Sequence, residues 1–280
     1  MKFFKAIGHW LALPFVCLIF GIRMLKVKSK YNRYLNYPDS FPIDERYYFI
    51  YKVVKNALFI KNIKVESTGF SKSPAIYSLY VVNHKSSIDA LIIFKLLYES
   101  KQIPYFRFVA KDELNKKINR FNMCFRLIDT IFINRADIRS ISKIYNSVNI
   151  SKDKRSVVVF IEGTRIDENN KLGEFHAGSL SFAYKSATPI VPIVLYGSSG
   201  LMKDDKVKIK INKKYKKVYV NCLDKLKPNS YITTTTIHTT NFLYEIMNKE
   251  LQRMDTILSK SRKNVHLFDE LDNNSKFKKR

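Results

Sequence analysis

A histidine and an aspartate with the spacing of a catalytic pair occur in the segment VVNHKSSIDALII. An apolar run typical of a buried strand ends at Asn83, and His84 follows directly. A helical pattern begins near Asp89, where Ser86 or Ser87 can cap it. From the first helical turn, Asp89 can fold back onto the His84 ring and hold one nitrogen as a donor. The other nitrogen is then free to accept a proton, so the pair predicts a general base. Taken alone, the spacing also fits a structural histidine.

A second polar turn follows another apolar run, in SVVVFIEGTR. Gly163 permits a backbone bend, Thr164 offers a hydroxyl, and Arg165 offers a planar fork of donors matched to a phosphate. Glu162 can either accept a hydrogen bond from a substrate hydroxyl or hold Arg165 in place. Arg135 also follows an apolar run, TIFI, and a second guanidinium after a strand favours a phosphate site. The alternative for the turn alone is a surface ion pair.

Composition limits the class of protein. The chain has 280 residues, 46% of them hydrophobic, which excludes a disordered protein and allows one substantial core. Its formal charge of +26 indicates an anionic partner, although the abundance of Lys, Asn and Ile typical of AT-rich genomes accounts for part of that charge. The three cysteines have no disulfide or metal-ligand spacing, so we expect reduced thiols in a cytoplasmic compartment.

The body of the chain alternates β-rich and helical runs. IKVE, AIYSLYVV, FRFVA, TIFI, SVVVFI and PIVPIVLY read as strands buried on both faces, and VKIKI and KVYV as half-exposed strands near a sheet edge. Helical spacing occurs over residues 89–98, 179–186 and 236–259. This alternation predicts an α/β fold with a central, largely parallel or mixed sheet flanked by helices.

The N-terminal region has a different character. Between Lys5 and Arg23 lie 17 residues without a formal charge, interrupted by Pro14 and flanked by basic residues on both sides. This segment predicts a membrane-associated helix that spans, dips into or lies on the bilayer, with a buried core helix as the alternative. Residues 47–60 form a second amphipathic helix, which can rest on lipid or cover the core. We therefore predict N-terminal membrane-associated helices over 1–60, a catalytic domain over 61–265 and a basic tail over 266–280.

Four segments in this order resemble the motif blocks of the glycerolipid acyltransferases. They are Asn83-His84 with Asp89, Arg135 after IFIN, the turn from Glu162 to Arg165, and VPIV around Pro192. The similarity runs from about residue 63 to residue 198 and is greatest to the 1-acylglycerol-3-phosphate acyltransferases. KDEL at 111–114 and GEFHAG at 173–178 also resemble family segments.

The resemblance implies acyl transfer from a thioester to the free hydroxyl of lysophosphatidic acid, giving phosphatidic acid. His84 would deprotonate the hydroxyl and Asp89 would orient His84. Arg135, Arg165 and Lys111 would hold the acceptor's phosphate, within a pocket shaped by the turn from Glu162 to Arg165. The family's donors are acyl-CoA or acyl carrier protein, and no metal or bound cofactor is implied. The expected location is the cytoplasmic face of an anionic membrane, through one N-terminal span or a monotopic attachment.

The chain departs from the family pattern at several positions. Ile161 replaces a proline, Ile166 a serine and His176 a lysine, while Asp129 and Thr130 stand where a glycine usually opens the second block. Each reacting group is retained. The departures leave another lysophospholipid open as the acceptor.

Two other classes of protein compete with this interpretation. The charge and the 17 Tyr and 20 Phe suggest a nucleic-acid-binding protein, but many of these aromatics lie within apolar elements and no nucleic-acid motif is present. We therefore expect no nucleic-acid partner. The other class is a catalytically silent lipid-binding relative, which the intact His84 and Asp89 oppose.

Overall fold

The computed structural model describes residues 2–70, 77–101, 105–116, 119–134, 137, 144, 147–202 and 216–260, without the side chains of 2–7 and 259–260. Arg135, the VKIKI segment and the predicted tail at 266–280 lie outside the described residues.

Helices and strands alternate through the described chain. The α-helices are α1 (Lys2–Asn36), α2 (Ile43–Ile60), α3 (Asp89–Glu99), α4 (Asp112–Lys116), α5 (Arg120–Leu127), α6 (Ser181–Ser186) and α7 (Thr236–Lys260). The strands are β1 (Ile63–Thr68), β2 (Leu79–Val82), β3 (Phe106–Lys111), β4 (Ile131–Ile133), β5 (Ser156–Phe160), β6 (Ile190–Tyr196) and β7 (Lys216–Cys222). Short 3-10 helices occupy Pro38–Ser40, Ala177–Leu180 and Pro228–Ser230.

The strands form one mixed sheet in the order β1-β7-β6-β2-β5-β3-β4. Strands β2 to β6 run parallel, whereas β7 is antiparallel to β6 and parallel to β1. All four residues of β2 are buried between neighbouring strands and both helical layers. The predicted α/β class with a central, largely parallel or mixed sheet is confirmed.

Each face of the sheet carries its own apolar core. On one face, α2, α3 and α5 bury side chains such as Ile50, Ile93 and Leu127 against Tyr80 and the other strand residues that point to this face. On the opposite face, α6 and α7 bury side chains that include Phe182, Leu243 and Met247 against Leu79 and its neighbours. Alternate residues of a strand point to opposite faces, which is why Leu79 and Tyr80 belong to different cores.

Two local predictions are wrong. IKVE lies in β1, which is an edge strand with only Ile63 buried, and not a strand covered on both faces. Short β-branched runs occur in edge strands as well as in central strands of a sheet, so hydrophobicity alone does not distinguish an edge strand from a central one. The residue capping α3 is Ile88, without a side-chain cap, while the Ser86 hydroxyl accepts a long 3.4 Å hydrogen bond from the Ile88 N–H. The Asp89 carboxylate binds the backbone N–H groups of this turn instead.

Helix α1 is continuous through Pro14 and packs along α2. The His9 ring lies 4.5 Å from the Phe59 ring, and Arg23 donates to the Lys52 carbonyl at 3.2 Å, so the two helices are antiparallel. Helix α2 buries its other face in the core, so residues 47–60 cover the core, which is one of the two roles considered for them. The alternative of a buried core helix at the N-terminus is wrong, because only 11% of the most apolar window of α1 is buried. The predicted boundary after residue 60 stays a prediction.

The turn between α5 and β4 explains one departure from the family pattern. Asp129 has a φ of 54°, a left-handed conformation that glycine adopts readily. Its carboxylate accepts hydrogen bonds from Tyr34 of α1 at 2.6 Å, from Arg46 of α2 at 3.0 Å and from Arg155. Burial alone would raise the pKa of Asp129, but the hydrogen bonds from Tyr34 and Arg46 and the nearby positive charges hold it below its ordinary value. Asp129 therefore attaches both N-terminal helices to the sheet domain.

Candidate active site

The polar residues that the sequence singled out meet at the carboxyl ends of two neighbouring strands. Strands β2 and β5 are parallel, with Val82 opposite Phe160, so His84 and Glu162 each lie two residues beyond a strand end. The Ile161 N–H donates to the Val82 carbonyl at 3.1 Å and extends the pairing beyond the strands. Strand ends in open parallel sheets commonly carry binding and catalytic groups.

The predicted contact between His84 and Asp89 is present. Nδ1 of His84 lies 3.0 Å from Oδ2 of Asp89, and the same oxygen accepts the N–H groups of Lys85 at 2.6 Å and Ser86 at 2.8 Å. The Asp89 side chain is fully buried, whereas 19% of the His84 side chain is exposed. The His84 ring stacks on Phe160 with 4.1 Å between the ring centres. The imidazole is therefore held on two sides and remains reachable.

Glu162 connects the two strand ends and the loop that follows. Its Oε2 accepts the His84 backbone N–H at 2.6 Å, and its Oε1 accepts the Gly173 N–H at 2.9 Å. The side chain is only 2% exposed, and this burial raises the pKa of Glu162. Hydrogen bonds to the main chain, which the sequence did not reveal, thus fix the Glu162 carboxylate beside His84.

Lys85 is a second feature that the sequence analysis missed. Its side chain is completely buried, and its ammonium group donates to the Lys171 carbonyl. Burial lowers the pKa of Lys85, whereas the charges of Glu162, Asp89 and Glu168 act in the opposite direction. Nothing in the sequence pattern distinguishes this lysine from the many exposed ones, apart from its position next to His84.

The turn after Glu162 exposes the groups predicted to bind phosphate. Gly163 has a φ of 64°, which suits glycine, and Thr164 and Arg165 that follow it are exposed. The Ile166 N–H donates to the His84 carbonyl at 2.8 Å, which keeps this turn beside the histidine. Lys111 is exposed at the end of β3, two strands away from β2 in the sheet. His176 is exposed, and its N–H donates to the Ile161 carbonyl at 3.0 Å.

An apolar groove lies next to this site, among α2, α3, α5 and β3. The residues that line it include Ala57, Ala90, Leu91, Phe108 and Phe121. Phe108 stacks with Phe160, which in turn carries the His84 ring, so the groove adjoins the histidine through two aromatic rings. Among the residues described, no group of three or more His, Cys, Asp or Glu could hold a metal ion.

The sequence is similar to an acyltransferase family model and to proteins that are named acyltransferases. A family model described as "Acyltransferase" matches residues 64–196. A Mycoplasma genitalium protein named "Probable 1-acyl-sn-glycerol-3-phosphate acyltransferase" is 35% identical over 197 residues, covering 70% of this chain and 72% of its own length. A Mycoplasma pneumoniae protein with the same name is 31% identical over 207 residues, covering 74% of this chain and 75% of its own length.

One solved structure has a similar fold. The crystal structure of the 1-acyl-sn-glycerophosphate acyltransferase PlsC from Thermotoga maritima superposes with a TM-score of 0.63 and 20% sequence identity. The superposition covers 91% of this chain and 98% of that protein. The likeness therefore extends beyond the sheet to nearly the whole chain.

Proposed function

The chain belongs to the acyltransferase family, and from this premise we propose that it transfers a fatty acyl group from a thioester to lysophosphatidic acid, giving phosphatidic acid. The observation that carries the proposal is the His84–Asp89 contact at the ends of β2 and β5, beside an exposed Arg165. The names of the two Mycoplasma relatives support the choice of acceptor.

We propose His84 as the general base. Nδ1 of His84 donates to Asp89, and Nε2 takes the proton of the acceptor hydroxyl. At the same time, the oxygen of this hydroxyl attacks the thioester carbonyl. The tetrahedral intermediate then collapses, the carbon–sulfur bond breaks, and the leaving thiolate takes up the proton that His84 holds, which returns His84 to its neutral form. The products are an ester and a free thiol. A buried, anionic Asp89 stabilises the imidazolium that forms during the attack.

Binding of the acceptor's phosphate is proposed for the exposed turn after Glu162. Thr164 and Arg165 supply a hydroxyl and a bidentate cation, and the left-handed Gly163 turns them towards solvent beside His84. Glu162 and Gly163 shape the turn through their main-chain contacts. Arg135 and Lys111 remain candidates for further phosphate contacts, and the exposure of Lys111 is compatible with this role.

The apolar groove is proposed to take a fatty acyl chain. It is lined by aliphatic and aromatic side chains from α2, α3, α5 and β3, and burying an acyl chain there removes apolar surface from water. Because the groove adjoins His84 through Phe160 and Phe108, a chain lying in it has its reactive end near the base. The donor is acyl-CoA or acyl carrier protein.

Attachment to an anionic membrane surface is proposed for α1. Leu11, Phe15, Leu18, Ile22 and Leu25 recur at helical spacing, and each side chain is between 45% and 69% exposed. Of the described helices, the segment Gly8–Asn36 alone is long and apolar enough to cross a membrane. Its packing along α2, which belongs to the core, favours a helix that lies in the interface at the cytoplasmic face.

The test is an assay of the purified full-length chain with vesicles. Lysophosphatidic acid and lysophosphatidylcholine are compared as acceptors, each with acyl-CoA and with acyl carrier protein as donor. We expect phosphatidic acid with at least one donor and a clear preference for lysophosphatidic acid. Equal or faster acylation of lysophosphatidylcholine would replace the proposed acceptor with another lysophospholipid.

A further inference from the structure

The buried Lys85 ammonium lies among the groups that surround the proposed base. The Lys85 backbone N–H donates to the Asp89 carboxylate at 2.6 Å, and the Lys85 ammonium group donates to the Lys171 carbonyl in the loop after Glu162. Lys85, Asp89 and Glu162 are each at most 2% exposed. One cation therefore accompanies two carboxylates in a region that excludes water.

Burying a charge in this position destabilises the folded protein unless an opposite charge lies close to it. Without Lys85, Asp89 and Glu162 would leave two buried negative charges next to His84, and both would favour the protonated imidazole. A protonated imidazole cannot act as a base. The charge of Lys85 therefore opposes the effect of the two carboxylates on the imidazole.

Lys85 also fixes the loop that carries the proposed phosphate-binding turn. Three contacts join residues 162–173 to the His84–Lys85 strand end: Ile166 N–H to the His84 carbonyl at 2.8 Å, the Lys85 ammonium to the Lys171 carbonyl, and Glu162 to the His84 N–H at 2.6 Å. The first contact joins two backbone groups, whereas the other two each join a side chain to a backbone group. Substitution of Lys85 therefore removes one of the two contacts that a side chain makes.

We propose that Lys85 is a positioning residue, which offsets the charges of Asp89 and Glu162 beside His84 and anchors the following loop at Lys171. The proposal deepens, and rests on, the proposed function of His84 as the base. In the described part of the chain, the charged and titratable groups that face Lys85 from the elements around it are Asp89 of α3, Glu162 of the turn after β5, and Glu168 of the loop. Lowering of the Lys85 pKa by burial agrees with this placement.

The test compares wild type with Lys85→Met, which keeps the apolar stem, and Lys85→Arg, which keeps the charge. Lys249→Met, at an exposed lysine of α7, is the matched control. In Lys85→Met we expect the acidic limb of the kcat/KM profile to move to higher pH by about one pH unit, because a neighbouring cation is lost. Lys85→Arg and Lys249→Met should keep the wild-type midpoint. A Lys85→Met profile with the wild-type midpoint would overturn the proposal.

A second measurement is independent of acyl transfer. The rate at which diethyl pyrocarbonate modifies His84, followed on the His84 peptide by mass spectrometry across pH, reports when the imidazole loses its proton. The midpoint should rise in Lys85→Met, fall in Glu162→Gln and return towards wild type in the double variant. If Lys85→Met does not fold, the last two variants still test the charge balance. If the Lys85→Met, Glu162→Gln double variant keeps the midpoint of Glu162→Gln alone, the proposed charge balance is wrong, whatever reaction the protein catalyses.

Discussion

Nδ1 of His84 lies 3.0 Å from Oδ2 of Asp89, and this single oxygen also accepts the backbone N–H groups of Lys85 and Ser86. The carboxylate is completely buried at the start of α3, so it cannot turn to solvent. The histidine is therefore oriented by a group that the main chain itself holds in place. Such support is what a base needs if one ring nitrogen is to point at a substrate.

Replacing Asp89 by Asn should reduce kcat by about 10²- to 10⁴-fold while preserving most of the side-chain volume. The amide can present its NH₂ group to Nδ1 and hold the wrong tautomer of His84. The variant's melting temperature should be measured alongside its turnover, because the amide satisfies fewer of the N–H donors. A folded variant with a kcat within about threefold of wild type would be incompatible with the orienting role.

Replacing Arg165 by Met should raise KM for lysophosphatidic acid by about 10- to 100-fold, since a charged hydrogen bond to phosphate is lost. Arg165→Lys should recover only part of this loss, because lysine cannot form the bidentate contact. A monoacylglycerol, which has no phosphate, serves as the control acceptor in steady-state assays. Equal losses for both acceptors would mean that Arg165 acts on something other than the phosphate.

Replacing Ala90 by Phe should narrow the apolar groove and change the preferred acyl chain. We expect the ratio of kcat/KM for long-chain over medium-chain thioesters to fall about tenfold, because each excluded methylene loses about 0.8 kcal/mol of burial. Ala177→Phe, in a separate cavity beside α7, is the matched control. An unchanged chain-length preference in Ala90→Phe would show that the acyl chain binds elsewhere.

Changing Leu11, Phe15 and Leu18 together to Ser should release the protein from anionic vesicles. The three side chains are 64% to 69% exposed, so the folded state loses little packing. Their combined removal costs about 5 kcal/mol of transfer into lipid, and vesicle binding in sedimentation assays should fall by more than about 100-fold. Ile237→Ser with Phe242→Ser, at exposed positions of α7, is the control. Vesicle binding that survives in the triple variant would assign the attachment to another surface.

Periodicity and residue type were sufficient for much of the fold. Continuous apolar runs predicted the central strands, and the meeting of His84 with Asp89 followed from a strand end next to a helix start. The edge position of β1 was not predictable, because pairing order depends on contacts between residues far apart in the chain. The burial of Lys85 also depends on such contacts, since it requires the Lys171 carbonyl and Glu162 from a neighbouring strand end. The same holds for Asp129, whose carboxylate accepts hydrogen bonds from Tyr34, Arg46 and Arg155. These partners are distant in the sequence, so the sequence does not predict the contacts.

The central claim is that His84 acts as the base in acylation of lysophosphatidic acid. The most direct test measures initial rates of phosphatidic acid formation by wild type, His84→Ala and the exposed-surface control Lys249→Met, in vesicles with the donor that wild type uses. We predict that His84→Ala lowers kcat by at least about 100-fold with an unchanged melting temperature, while Lys249→Met retains the wild-type rate. A folded His84→Ala variant that forms phosphatidic acid at the wild-type rate would contradict the proposed mechanism.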